Sequence, residues 1–135
     1  MSILRDEQVV AIDDVVVGLR SEAAHLAAVA DQAAPSKHAS RASDRAECHR
    51  RMADELAGII GELGDVAHAP SDEAMLLDQA ATVFRSAISS KPEVFVSEEL
   101  AASDARLRDI AREARPMIKH TRAGEIVDAL IGGDS

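Results

Sequence analysis

VVAIDDVVVGLRSEAAHLAAVA, residues 9–30, places an apolar residue at alternating steps of three and four: Val9, Ile12, Val16, Leu19, Ala23, Leu26 and Ala30. At 3.6 residues per turn these positions share one helix face, the pattern of a helix packed against other helices. The same step recurs in His49, Met52, Leu56, Ile59, Leu63 and Val66. It returns in Ala74, Leu77, Ala81, Phe84 and Ile88, and again in Val96, Leu100, Ser103, Leu107, Ile110, Ala114 and Met117. No period-two alternation competes with it, so the chain is predicted to be all-α.

Chain breakers set the expected ends. The first helix is predicted over about 6–33, stopped by Ala34-Pro35-Ser36, because proline lacks a donor and restricts the residue before it. A second is expected over about 41–66, capped by Ser40 or Ser43, and a third over about 72–89, capped by Ser71 or Asp72. The fourth runs over about 94–115 to the break at Pro116, its acidic start and basic end complementing its dipole. A short amphipathic fifth helix follows over about 121–131, ended by Gly132-Gly133. Short connections make consecutive helices antiparallel. The expectation is one domain, an antiparallel four-helix bundle with a short C-terminal fifth helix. Closing the first hairpin about Lys37 brings Glu22 and His25 towards His49 and Met52. Gly58, Gly61 and Gly64 read as points where a neighbouring backbone comes close.

Composition narrows the function. A chain of 135 residues removes about two thirds of its unfolded surface from water on folding. Phe84 and Phe95 are its two aromatic residues, so the core is aliphatic and slim, and stacking sites for bases, flavin or haem are poorly supplied. A formal charge of -9 at pH 7 argues against nucleic-acid phosphates and anionic lipid as partners. Cys48 is the sole cysteine, which excludes an intrachain disulfide and a thiolate cluster, and it reads as a small packing residue. No apolar run reaches the length of a membrane span, and Asp6-Glu7 interrupts where a signal peptide would be apolar. A soluble cytoplasmic protein is expected, with neither nucleic acid nor membrane as partner.

The chain has no glycine-rich phosphate loop, nucleophile elbow or zinc-protease pair, so a non-enzymatic role is expected. The sharpest chemical pattern is Glu22-x-x-His25, since residues three apart on a helix share a face and can reach one metal ion. His49 stands at a stripe position where an apolar residue belongs, and Glu47 lies beside it; together the four offer an oxygen and nitrogen set. A di-metal bundle asks for more, namely carboxylates from all four helices and a second carboxylate–histidine pair. The second helix has Glu47-x-x-Arg50, and the fourth has Glu98, Glu99 and Asp104 with no histidine at the needed spacing. No cofactor is therefore expected, iron or another divalent metal being the alternative. His49 is expected to be half-buried, its ring nitrogens satisfied locally and its charge sensitive to pH.

Two further stretches stand out. Arg106, Arg108, Arg112, Arg115, Lys119, His120 and Arg122 form a basic run, interrupted by Asp109 and Glu113, that reads as a solvated helix end. Ile126, Val127, Leu130 and Ile131 form an amphipathic tail too short to stand alone, a candidate partner-binding or dimer-forming helix, or else a cap folded back on the bundle.

Arg45-Ala46-Glu47-Cys48-His49-Arg50, leading through Leu56 to Gly61-Glu62-Leu63-Gly64, together with Phe84-Arg85-Ser86-Ala87-Ile88 and Glu98-Glu99, resembles a bacterial family of ferritin-like four-helix bundles of unknown function. The likeness spans about 9–114. It implies two antiparallel hairpins and kinship with carboxylate-bridged iron proteins, with Glu47 and Glu98 or Glu99 at the positions nearest the ferritin carboxylates. The chain departs from ferritins in lacking histidines three residues after those glutamates, which counts against iron oxidation. The company such families keep implies a stress response. The combined expectation is a non-enzymatic, ferritin-like bundle acting through protein association, as a homodimer or with a protein partner. Its alternative is a metal-binding bundle using Glu22, His25, Glu47, His49 and Glu99.

Overall fold

The structure, a computed structural model, describes residues 6–67 and 91–132. Glu7–Ala33 forms α1, Ala39–Glu62 forms α2, Pro92–Ala114 forms α3 and Thr121–Gly132 forms α4, with a 3-10 turn at Arg115–Met117 between the last two. There is no strand among the described residues, and these four helices pack together. The helix expected over about 72–89 lies outside the described residues. Among those described, no helix is long and apolar enough to cross a membrane.

Local chemistry explains the ends. Asp6 caps α1 by accepting a bond from the Gln8 amide at 2.7 Å, satisfying one of the orphan donors of the first turn. Neither Ser40 nor Ser43 caps α2. The helix begins at Ala39 behind His38, whose amide donates to Ser36 Oγ at 3.1 Å, while Ser40 Oγ donates to the Lys37 carbonyl.

The far end of α2 stops short of the expected boundary because Gly64 takes φ +88°. The Asp65 amide then reaches the Ile60 carbonyl and the Gly64 amide the Gly61 carbonyl, both at 3.1 Å, which is the Schellman closure of a helix. Val66, read as the last stripe residue, lies beyond this turn and is 77 % exposed. In α3, Pro92 occupies the first turn, where its missing N–H costs nothing, so the helix begins two residues earlier than expected. Pro116 lies in the 3-10 turn that replaces the α-helix after Ala114.

α1 is the central element, packed against both α2 and α3. Its expected stripe is buried as far as Leu26, and a second row, Val15, Gly18, Glu22, His25 and Val29, is buried beside it. Arg20 meets Asp54 between α1 and α2. At the opposite ends of α1, Gln8 accepts bonds from the Lys119 and His120 amides, and His25 meets Glu99. α1 is therefore antiparallel to both neighbours. α2 and α3 consequently run parallel, joined by Arg41 to Ser97 and by Arg45 to Asp104.

Among the described residues nothing packs closely on the glycines read as packing points. A Cβ added at Gly58 or Gly61 would meet nothing within 4 Å. Close approach occurs at Gly18, where a Cβ would stand 2.8 Å from Ile110 Cδ1, and at Gly124, 2.9 Å from the Arg115 guanidinium.

The tail does not present a free face. Ile126 and Val127 are buried in one apolar cluster with Val9, Ile12, Leu56 and Ile60, and Leu130 and Ile131 pack partly buried against it. Burial of aliphatic side chains at about 1.5–3 kcal/mol each holds a 12-residue helix that would not persist in water. Arg115 pins it, bonding Asp128 Oδ1 at 2.7 Å and the Ile118 carbonyl at 2.8 Å.

Candidate functional site

Among the described residues the apolar core falls into two clusters. One apolar cluster gathers Ile12, Val16, Leu19, Leu56, Ile60 and Leu107, and the other gathers Leu26, Val29, Ala46, Phe95, Val96 and Leu100. Where the two clusters meet on α1, α2 and α3 sit buried polar groups: Glu22 and His25 on α1, His49 on α2 and Ser103 on α3, none more than 5 % exposed. Helix periodicity makes this so, because each stands three or four residues from apolar neighbours on the same face.

Two members of this layer, Glu22 and His25, have ion-pair partners. Arg106 Nε and Nη2 donate to the two carboxylate oxygens of Glu22, each at 2.8 Å, a fork geometry that suits a planar carboxylate. His25 Nε2 donates to Glu99 Oε2 at 2.7 Å. The Arg106 pKa is raised, first by its bond to Glu22. His49 is pushed below the ordinary histidine value, chiefly by burial and then by the Arg45 cation; Asp104 and Glu22 pull weakly the other way. Three buried atoms have no partner among the described residues: His25 Nδ1, His49 Nδ1 and Ser103 Oγ. His49 is thus fully buried rather than half-buried, and its Nδ1 is not satisfied locally.

The five metal candidates do not come together as a ligand set. Glu22 is committed to Arg106, Glu99 to His25, and Glu47 lies on an exposed surface paired with Arg50 and Arg51. Among the described residues, no three of histidine, cysteine, aspartate and glutamate are grouped so as to hold a metal ion. Cys48, read as a packing residue, is exposed. The basic run is dispersed into ion pairs: Arg106 with Glu22, Arg115 with Asp128, and Arg122 with Glu55.

A second feature lies on the outer surface between α1 and α3. Gly18 and the small pair Ala11 and Ala114, 3 % and 4 % exposed, let the two helices close, and Val10, Ile110 and Met117 stand as walls over that floor. The result is an open cleft of about 460 Å³ with Glu7, Asp14 and Glu113 at its edges. Val10 and Met117 are 39 % and 40 % exposed, against the burial expected of large apolar side chains.

The chain matches no protein-family model, curated protein or solved structure. Its own geometry must carry the functional reading. Sequence reasoning missed Arg106, which it assigned to a solvated run, and missed the cleft. The signal for the first was Ser103 interrupting an apolar stripe, three residues before Arg106. The signal for the second was Val10, an apolar residue off the Val9–Ile12–Val16 face.

Proposed function

We propose that this chain is a non-enzymatic, ferritin-like helical bundle that acts through protein association, with the α1–α3 cleft as its contact face. The observation that carries the reading is the cleft itself, an apolar floor and walls left open between two otherwise well-packed helices. Exposed apolar surface of this kind marks interaction sites. The ferritin-like part is supported by the antiparallel α1–α2 hairpin and the antiparallel contact of α1 with α3. The non-enzymatic part is supported by the buried layer, where the carboxylates of Glu22 and Glu99 are held by Arg106 and His25.

Site-directed photocrosslinking tests the reading in the cells that make the protein. A photoreactive residue at Val10 is expected to give a discrete covalent adduct, and the same residue at exposed Gly58 is expected to give none. Equal, diffuse labelling from the two positions overturns it. Stoichiometric iron or another divalent metal in protein purified without chelator would favour the metal-binding alternative instead.

A further inference from the structure

We infer that the α1–α3 cleft receives a basic amphipathic helix of another protein. This inference rests on the association reading above and adds the chemistry of the occupant.

Shape comes first. The cleft follows α1 from Glu7 to Asp14, two helical turns, or about 10 Å at 1.5 Å per residue. Its floor is built from alanines and its walls from Val10, Ile110 and Met117, so the furrow runs along the helix axes. A furrow of that length takes two turns of a guest helix, with apolar side chains at i, i+3 or i+4, and i+7. Methionine on one wall suits such a guest, since its unbranched side chain adapts to different apolar shapes.

Charge then selects the guest. Each wall carries a carboxylate, Glu7 from α1 and Glu113 from α3, and among the described residues lining the cleft none is basic. The whole chain adds a formal charge of -9. Lysine and arginine flanking the apolar stripe of a guest helix would meet these carboxylates at the rim, and the field of the protein would steer it in. A second copy of this chain is the poorer occupant. A two-fold contact presents the same patch from both sides, so one acidic rim would be set against another.

The test uses the full chain and three fluorescein-labelled peptides of about fourteen residues, read by fluorescence anisotropy. One has leucines at helical spacing flanked by lysine and arginine, one is a scrambled isomer of it, and one carries glutamate at the flanks. The basic amphipathic peptide is expected to bind at least tenfold more tightly than either of the others. Val10→Gln with Met117→Gln should weaken it about tenfold. Glu7→Gln with Glu113→Gln should weaken it and flatten its salt dependence. All four positions are exposed, and circular dichroism checks that the variants fold.

Equal binding of the scrambled isomer, preference for the acidic peptide, or indifference to the cleft variants overturns the inference. So does light scattering that finds a dimer dissociated by Val10→Gln, which would make a second copy the occupant. Crosslinking from Val10 without peptide selectivity would leave the association reading standing and remove this one.

Discussion

Arg106 grips both carboxylate oxygens of Glu22 at 2.8 Å, across 84 residues of chain, with the glutamate side chain 6 % exposed and the arginine 46 %. The pair is asymmetric: the cation reaches solvent and the anion does not. Removing the arginine would strand a carboxylate in the core, which costs more than the pair itself contributes. Arg106→Ala is expected to lower unfolding stability by about 3 kcal/mol, and Glu22→Leu with Arg106→Leu to recover most of that loss. Urea denaturation measures both. A single-variant loss below about 0.5 kcal/mol, the size of an exposed ion pair, would mean that Glu22 is not buried as described.

Stability should fall as the solution is acidified from neutrality. His49 has its pKa lowered in the folded state from an ordinary value of 6.5, by burial and by Arg45 on its own helix, against Asp104 of α3 and Glu22 of α1. The unfolded chain therefore binds more protons, and stability rises with pH. The contribution is fully present above about pH 6.5 and is lost as pH falls below it towards the lower folded value, with a slope of at most about 1.4 kcal/mol per pH unit. His49→Leu should flatten this dependence between pH 7.5 and 5.5, above the range where carboxylates titrate. Parallel urea midpoints for the two proteins across that range would contradict it.

The glycines of α2 should respond in opposite directions. Gly58 lies mid-helix with nothing near a prospective Cβ, so Gly58→Ala should stabilise by about 1 kcal/mol through helix propensity. Gly64 sits at φ +88°, where a side chain is strained, so Gly64→Ala should destabilise by about 1 kcal/mol. Thermal melts of the two variants check the signs, and a loss at Gly58 would mean that a neighbour covers it.

The C-terminal helix should be part of the folding unit. Ile126→Ala removes a side chain 5 % exposed within the larger apolar cluster and should cost about 2–4 kcal/mol. A chain ending at His120 should lose helicity well beyond the residues removed. Unchanged stability in both would mean that the tail rides on the bundle rather than completing it.

The helices were legible in the sequence because their evidence is local. The three-four stripe located α1 and α3 to within two residues, and the breakers at Pro35 and Pro116 set their ends. The end of α2 was missed because a Schellman turn depends on one backbone angle at Gly64, and the chain offered glycine at 58 and 61 as well. His49 stood out as a polar residue within an apolar stripe, and it is indeed buried. Its surroundings were not legible: which cation meets Glu22, and which carboxylate meets His25, depends on how α3 aligns with α1 across some eighty residues. The tail showed the same limit. An amphipathic face announces that something covers it, and only the tertiary fold reveals that its cover is the chain's own core.

The polar layer gives the molecule a way to choose among alignments. On either side of it the contacts are made almost entirely by alanine, valine, leucine and isoleucine, with Phe95 the one buried aromatic among the described residues, and such surfaces discriminate poorly between one helical offset and the next. A slide of α3 along α1 by one turn, about 5.4 Å, would tear Arg106 from Glu22 and Glu99 from His25 together. Glu22 and His25, both 5 % exposed, would then be left unpaired against apolar neighbours, each costing roughly 1–3 kcal/mol. The layer thus acts as the key cut into an otherwise smooth blade, and the two clusters can stay simple in composition because the offset is decided between them.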